Sequence, residues 1–348
     1  MKKIKCPEEK GMSKKIRAVA ICLSLCLLVL PIMSCASCKN KRVVATCGEY
    51  DIYYEYLRFV TLNFKDQLES AYGDGNAENG TIWDDPKTAA QYKPLLEERV
   101  WGLIRDNYAV LMACAEYGIG RDVFDGKEVK KAVDAQMDAL KSTYDSYLEY
   151  EQALADSYMT EDVFRFHYAI EEMKVRLYRA MADAGEFIDD EETFHEWLAD
   201  GNYAYVQHIL REVSEGEDAE IERDMAESVR AGLREGRYDV EWYINNLNDD
   251  LTNVSPYFMV RHAYDDALVD AALALENVGD VSPVIEVDGN FYVLMLQDES
   301  EGDLSSQLTT LLSAYQWGVV SEKVADVRDG MKIEMTKFGK KIDLLEIE

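Results

Sequence analysis

Cys35 is the residue whose type and position most clearly indicate a chemical reaction. It follows a basic region from Lys14 to Arg17 and a mostly apolar run of 13 residues from Ala18 to Leu30. That run is shorter than the ~20 apolar residues that a membrane-spanning helix needs. A basic region, a short apolar run and small residues near the cleavage point are typical of a secretory signal. Cleavage before Cys35 would leave its thiol at a new N-terminus, where it can form a thioether to diacylglycerol.

The segment Ile32-Met33-Ser34-Cys35 resembles the bacterial lipobox, in which an aliphatic residue and two tolerant positions precede an obligatory Cys. We therefore predict a signal peptide over 1–34 and a lipidated tether over 35–42. Several acyl chains would hold the protein on the outer, extracytoplasmic face of a bacterial cell membrane, because each buried methylene contributes ~0.8 kcal/mol. Two alternatives remain, an ordinary secretory signal with an incidental Cys and an uncleaved anchor. Met12 is an alternative start, since the signal needs nothing before it.

The chain is strongly acidic, with 67 Asp and Glu against 37 Lys and Arg and a formal charge of −30. The first 34 residues carry seven Lys and Arg and two Glu, so the remainder carries −35. Such a surface repels phosphate, which argues against nucleic acid as a partner. It also repels anionic lipid, so attachment to a membrane must depend on the lipid anchor. The excess acid can attract cationic partners, although solubility alone accounts for it.

The cysteines indicate neither a disulfide framework nor a metal site. Three of the seven precede the predicted cleavage point, and Cys38, Cys47 and Cys114 remain beside Cys35. This sparse set lacks the even count and regular spacing of a disulfide-rich domain. No spacing of Cys and His matches a zinc site. We therefore predict no bound metal and no small-molecule cofactor.

Apolar residues recur at helical spacing through the first half of the mature chain. A short strand at 43–46 precedes them, and a loop rich in Gly, Asn and Asp interrupts them at 73–86. Thr160 is a suitable N-cap residue, with acidic side chains in the turn that follows it. The predicted helices cover 53–71, 88–117, 128–159 with a break near Ser142, 160–182 and 190–198.

The pattern changes after residue 199, where strands and helices alternate. The Asp288-Gly289 pair between two apolar runs is a strong signal for a hairpin turn. The region therefore predicts a small α+β domain, followed by a helix at 304–327 and strand pieces at 332–336 and 342–347. Its predicted strands cover 203–210, 257–260, 281–287 and 291–296, and its predicted helices cover 218–235, 240–246 and 265–275.

Several short motifs follow one another in a set order along the chain. They are Val43 to Ile52, Leu154 to Tyr178, His208-Ile209-Leu210, Gly236 with Tyr238 and Asp239, Ala271 to Leu275, and Gly279 to Pro283. Their order resembles that of foldase lipoproteins of the SurA/PrsA type, which place a parvulin-like (PpiC-type) prolyl isomerase domain after a helical chaperone domain. The resemblance spans roughly 43–330, and it implies an α+β fold with a helical chaperone-like domain at 43–199 and a parvulin-like domain at 200–300. It also implies that 301–348 packs back on the helical domain.

The resemblance also implies where an isomerase site would lie. Active parvulins use two imidazoles with a Cys or Asp and a hydroxyl, and His208 matches the first imidazole while Asp249 or Asp250 falls near the Cys or Asp position. The second imidazole position is Phe291 or Tyr292, and the hydroxyl position is Glu286 or Asp288, so the network is degenerate. The Gly-Gly-x-Leu-Gly stretch of the family is replaced by Leu251 to Pro256. The implied catalytic residues are His208 and Asp250, and the implied substrate-binding residues are Phe258, Tyr264, Leu268, Phe291 and Tyr292.

The resemblance implies an extracytoplasmic foldase or chaperone that binds unfolded or proline-containing segments of nascent exported polypeptides. Three alternatives stay open: an active prolyl isomerase that uses His208, a surface lipoprotein that recruits one specific partner, and a His208 that is only a structural strand residue. A solute-binding lipoprotein is not favoured, because the sequence shows no long alternation of strands and helices.

Overall fold

The computed structural model describes residues 41–73, 80–214 and 218–348, so the predicted signal peptide, Cys35 and most of the tether lie outside the described residues. The chain divides into two compact units. Unit 1 holds the residues up to 111 together with 119–173 and 331–348, and unit 2 holds 112–118 and 174–330. The domain limits predicted at 200 and 300 differ from this division and stay a prediction.

Unit 1 is mostly helical and carries a three-stranded antiparallel sheet. The strands β1 (Val43–Cys47), β2 (Tyr50–Tyr53) and β7 (Ile333–Met335) lie in the order β2-β1-β7, with Ala45 paired to Met335. Gly48 has a φ of 55°, which the tight β1–β2 turn requires. The helices are α1 (Tyr54–Tyr72), α2 (Pro86–Glu116), α3 (Arg121–Phe124), α4 (Lys127–Lys141), α5 (Tyr147–Ala155) and α6 (Glu161–Asp183), and the last residues of α2 and α6 belong to unit 2.

One predicted element of unit 1 is wrong. The segment 342–347 is not a strand, because Leu344–Glu346 forms a 3-10 turn. The carboxylate of Asp343 accepts a hydrogen bond from the Leu345 N–H at 3.0 Å and starts the turn. The turn buries Leu344 and Ile347, which lie three residues apart, on the same side. An apolar spacing of three therefore reflects one helical turn here rather than strand alternation.

Unit 2 is built on a four-stranded antiparallel sheet in the order β4-β3-β6-β5. Its strands are β3 (Tyr203–Arg211), β4 (Tyr257–Val260), β5 (Ile285–Val287) and β6 (Asn290–Leu296). Its helices are α7 (Glu191–Ala199), α8 (Ala219–Arg234), α9 (Val240–Leu247), α10 (Asp266–Leu273) and α11 (Leu304–Gly330). The predicted α+β class with a mostly helical body is confirmed.

Aspartates at the N-caps determine where the helices of this sheet domain begin. Asp218, Asp239 and Asp265 each accept a hydrogen bond from a backbone N–H in the first turn of α8, α9 and α10 respectively. Such a side chain satisfies one of the backbone donors that have no partner at a helix start. Apolar contacts then pack α8 and α9 against one face of the sheet and α10 against the other.

Candidate functional site

Strand alternation and register decide which side chains share a face of the sheet. Val206 pairs with Tyr257 of β4, and His208 pairs with Leu294 of β6. Because side chains alternate along a strand, His208 and Tyr257 lie on the face that packs against α10. Tyr292, which pairs with Leu210, lies on the same face. This face brings together a histidine, two tyrosines and the loop after α9.

His208 is the centre of the group, and it is only 4% exposed. Its Nδ1 lies 2.9 Å from the hydroxyl of Tyr257, and its Nε2 lies 3.2 Å from Oδ2 of Asp250. The second contact has the distance of an ion pair, but Nε2 makes no well-aligned hydrogen bond. Both contacts fit one tautomer, in which the Tyr257 hydroxyl donates to Nδ1 and the Nε2–H faces the carboxylate.

His208 and Asp250 carry different charges at neutral pH. Burial lowers the pKa of His208, and the attraction of Asp250 offsets this only in part, so the imidazole is neutral. Burial raises the pKa of Asp250, but hydrogen bonds from Thr252 and Asn253 outweigh it and lower that pKa well below its usual range. The site therefore holds a neutral imidazole against an ionised carboxylate.

The loop that carries Asp250 is attached to β3 at both of its ends. Asn248 accepts a hydrogen bond from the Leu210 N–H at 2.8 Å and donates one to the Asp250 carbonyl at 2.6 Å. Further along the loop, the buried Gln207 side chain donates to the Val254 carbonyl at 2.8 Å. These bonds hold the Asp250 carboxylate in place beside His208.

Tyrosine rings surround the imidazole. The ring centroids of Tyr257 and Tyr292 lie 5.6 and 5.9 Å from that of His208, and Tyr264 lies 5.5 Å from Tyr257. Burial is the first cause that raises the pKa of all three phenols, so their hydroxyls stay protonated. Tyr264 is partly exposed, which leaves an apolar ring at the entrance of the group.

The structure separates the predicted substrate-binding residues into two sets. Tyr264 and Tyr292 lie with His208, and Leu268 is buried in α10 beneath the same face. Phe258 and Phe291 lie on the opposite face, so they do not line this site. Phe258 packs against the rings of Tyr203 and Tyr205, and Phe291 belongs to the core under α8 and α9.

The hydroxyl partner of His208 is a residue that the sequence analysis missed. The family pattern placed a hydroxyl near Glu286 or Asp288, but Tyr257 supplies it. Glu286 instead pairs with Arg223, and Asp288 lies exposed in the hairpin turn with a φ of 50°. The predicted binding residue Phe258 is the neighbour of Tyr257 in β4. Only the register of β4 against β3 shows that Tyr257, and not Phe258, faces His208.

The arrangement places a desolvated polar group, the His208 imidazole, next to tyrosine rings. Within 41–73, 80–214 and 218–348, no three His, Cys, Asp or Glu side chains converge on a point that could hold a metal ion.

In the described part of the chain, none of the helices has the length and apolarity that crossing a bilayer requires.

No protein-family model matches the sequence, and no curated protein matches it. The solved structures to which the chain is similar include PrsA proteins, which are described as foldases or peptidyl-prolyl isomerases. The foldase protein PrsA from Streptococcus pneumoniae has 16% identity and a TM-score of 0.34, with 73% of this chain and 92% of that chain covered. PrsA from Bacillus anthracis has 15% identity and a TM-score of 0.31, with 64% and 96% covered. PrsA from Bacillus subtilis has 14% identity and a TM-score of 0.25, with 83% and 93% covered.

Proposed function

We propose that this chain is a membrane-anchored extracytoplasmic foldase that binds proline-containing segments of unfolded exported polypeptides on the His208 face of its unit 2 sheet. One observation supports this above the others. A buried neutral imidazole is held between the Tyr257 hydroxyl and the Asp250 carboxylate, next to two further tyrosine rings. Tyrosine rings offer apolar area with a polar tip, which suits a peptide whose sequence varies.

Prolyl isomerisation makes and breaks no bonds, so such a site has only to favour the twisted amide. The barrier to rotation about the peptide C–N bond is ~18–20 kcal/mol, because resonance keeps the amide planar. A prolyl ring that packs against Tyr264 and Tyr292 would be removed from contact with water. The neutral His208 and the Tyr257 hydroxyl would then supply polar groups next to the twisted amide. Uncatalysed isomerisation takes tens of seconds, so even modest assistance matters for a chain that is folding.

The first experiment measures isomerisation of an Xaa-Pro peptide by NMR exchange with the purified full-length chain. We expect acceleration, and we expect His208→Ala to reduce it at least tenfold, which corresponds to ~1.4 kcal/mol in the barrier. His195→Ala is the matched control, because His195 is exposed on α7. Tyr257→Phe separates catalysis from folding, because it removes the hydroxyl and keeps the packed ring.

Three results are informative. Acceleration that His208→Ala and Tyr257→Phe both reduce would support an isomerase with a rearranged network. Acceleration that both variants retain would move the reaction away from this face. Peptide binding without any acceleration would leave a chaperone in which His208 is a structural residue.

The anchor forms a separate part of the proposal and is tested at Cys35. Cys35→Ser should move the protein from the membrane fraction to the soluble fraction after export, because the thioether cannot form. Cys38→Ser is the matched control three residues away. A Cys35→Ser protein that stays with the membrane would refute lipidation at this residue and would favour an uncleaved anchor.

The proposed organisation keeps a helical chaperone-like domain at 43–199, a parvulin-like domain at 200–300 and a returning segment at 301–348. The pairing of β7 with β1 supports the return of the C-terminal segment to the helical domain, because Glu334, near the end of the chain, pairs with Thr46 in the first strand. The four-stranded sheet with α8, α9 and α10 supports the second domain.

A further inference from the structure

His262, in the turn that follows β4, is held in a strained backbone conformation. Its φ is 67°, in the left-handed region that residues other than glycine rarely adopt. Such a conformation persists only where the surrounding contacts determine it, and these positions are frequent at active sites and ligand clamps. His262 lies outside the group of side chains around His208, so other contacts must account for the strain.

The helices α7 and α11 contact both the ring and the backbone of His262. Its Nδ1 lies 2.8 Å from the Glu322 carboxylate, which can only accept a hydrogen bond, so Nδ1 carries the proton and donates. The ring centroid lies 6.3 Å from that of Trp197 and 5.5 Å from that of Tyr315. The His262 carbonyl approaches Gly318 so closely that a Cβ there would overlap it. These contacts fix one residue of the turn against two helices.

Tyr264, the partly exposed ring at the entrance of the site, lies two residues after His262. On its other side, Asp265 starts α10 by accepting a hydrogen bond from a backbone N–H of that helix at 2.9 Å. Tyr264 is therefore held between His262 and a helix cap, with its ring 5.5 Å from that of Tyr257. If the contacts of His262 were lost, only the α10 end would hold this ring in place.

The strand before the turn has anchors of its own. The Arg261 N–H donates to the Asn202 carbonyl at 3.1 Å, and the Arg261 guanidinium pairs with Asp270 of α10 at 2.8 Å. Loss of the His262 contacts should therefore loosen 262–264 and leave β4 and α10 in place. The contacts of His262 thus act on the position of Tyr264 more than on the fold of the sheet domain.

We propose that His262 is a positioning residue for the peptide site, and that it acts through Tyr264. Its contacts with Glu322, Trp197 and Gly318 hold the Tyr264 ring where a prolyl ring packs. The inference rests on the proposed function, and it adds α11 as an element that supports the entrance of the site.

A double-mutant cycle on the binding of a fluorescent Leu-Pro peptide to the full-length chain tests this role. His262→Asn removes the ring and keeps a residue that tolerates the left-handed backbone, whereas Glu322→Gln keeps the ring and removes the carboxylate. By fluorescence anisotropy, we expect His262→Asn to weaken binding about fivefold to tenfold. Glu322→Gln should weaken it about twofold to threefold, because both side chains of the pair are partly exposed.

Tyr264→Ala alone should weaken binding about fivefold to tenfold, since Tyr292 remains. In the Tyr264→Ala background, His262→Asn and Glu322→Gln should cause no further loss, because the residue through which they act is gone. A residue that only stabilised the fold would weaken binding equally in both backgrounds.

Asp326→Asn is the matched control, because Asp326 is exposed one helical turn beyond Glu322 on α11. Urea unfolding of each variant separates weaker binding from loss of the fold, and Glu322→Gln decides the test if His262→Asn does not fold. Unchanged affinity, or equal losses with and without Tyr264, would overturn this inference while binding by the wild type preserves the proposed function. Absence of binding and of acceleration by the wild type would overturn both.

Discussion

Replacing Asn248 with alanine should loosen the loop that places Asp250 beside His208. Asn248 is 7% exposed, and its side chain makes two hydrogen bonds that link β3 to the loop. Its Oδ1 accepts from the Leu210 N–H at 2.8 Å, and its Nδ2 donates to the Asp250 carbonyl at 2.6 Å. Alanine can make neither bond, so one backbone donor and one backbone acceptor lose their partner.

The expected loss of stability follows from the two backbone groups that lose their partner, the Leu210 N–H and the Asp250 carbonyl. A buried donor without a partner costs ~1–3 kcal/mol, and a lost neutral hydrogen bond contributes ~1 kcal/mol. We therefore expect Asn248→Ala to lower the free energy of unfolding by ~2–4 kcal/mol. This is a large part of the ~5–15 kcal/mol that a domain usually has. It should also weaken peptide binding, because the Asp250 carboxylate is no longer held against His208.

Urea unfolding followed by circular dichroism measures the effect, and Asn246→Ala is the matched control. Asn246 is exposed on α9 and donates only to the Trp242 carbonyl of its own helix, so its replacement should change stability by less than ~0.5 kcal/mol. Equal unfolding midpoints and slopes for the two variants would refute the reasoning. That result would mean that the Leu210 N–H gains another partner at no cost.

Two further predictions concern packing and pH. Gly318→Ala in α11 should destabilise the protein by ~1–3 kcal/mol in thermal unfolding, because the added Cβ would overlap the His262 carbonyl oxygen. Gly102→Ala is the control: its Cβ would meet no atom within 4 Å, so it should stabilise α2 by ~0.5–1 kcal/mol. A neutral Gly318→Ala would contradict the close approach of this backbone. Because the pKa of His208 is lowered in the folded state, its contribution is present above pH ~6.5 and is lost as the pH falls below that value. Urea unfolding between pH 7 and pH 5 should therefore show a smaller loss of stability for His208→Gln than for the wild type, and equal losses would refute the burial effect.

Local signals allowed much of the fold to be predicted. The Asp-Gly pair at 288–289 fixes the hairpin because its turn needs positive φ at two positions, and the structure has φ values of 50° and 80° there. Asp218 and Asp239 precede amphipathic runs, and both cap helices. Each of these features depends on a few neighbouring residues, so the sequence alone contains the information.

Non-local pairing accounts for what the sequence could not predict. The structure places the predicted binding residues Phe258 and Phe291 on the face opposite His208, because each strand offers two faces and a shift of one residue exchanges them. Only the pairing of Val206 with Tyr257, 51 positions apart in the sequence, determines that Tyr257 faces His208. No local pattern contains that register.

The same register decides which polar side chains surround His208. In the proposed foldase, Tyr292 would stand at the position of the second imidazole, and the hydroxyl beside His208 would come from Tyr257 of β4 on the same sheet face. Hydrogen bonds from Thr252 and Asn253 keep Asp250 ionised, and Asn248 holds the loop that carries it. These bonds are costly to assemble around a histidine that is merely structural, because an apolar residue would fill the same buried space without any polar partner. The polar network around His208 is therefore the feature on which the proposed binding site rests.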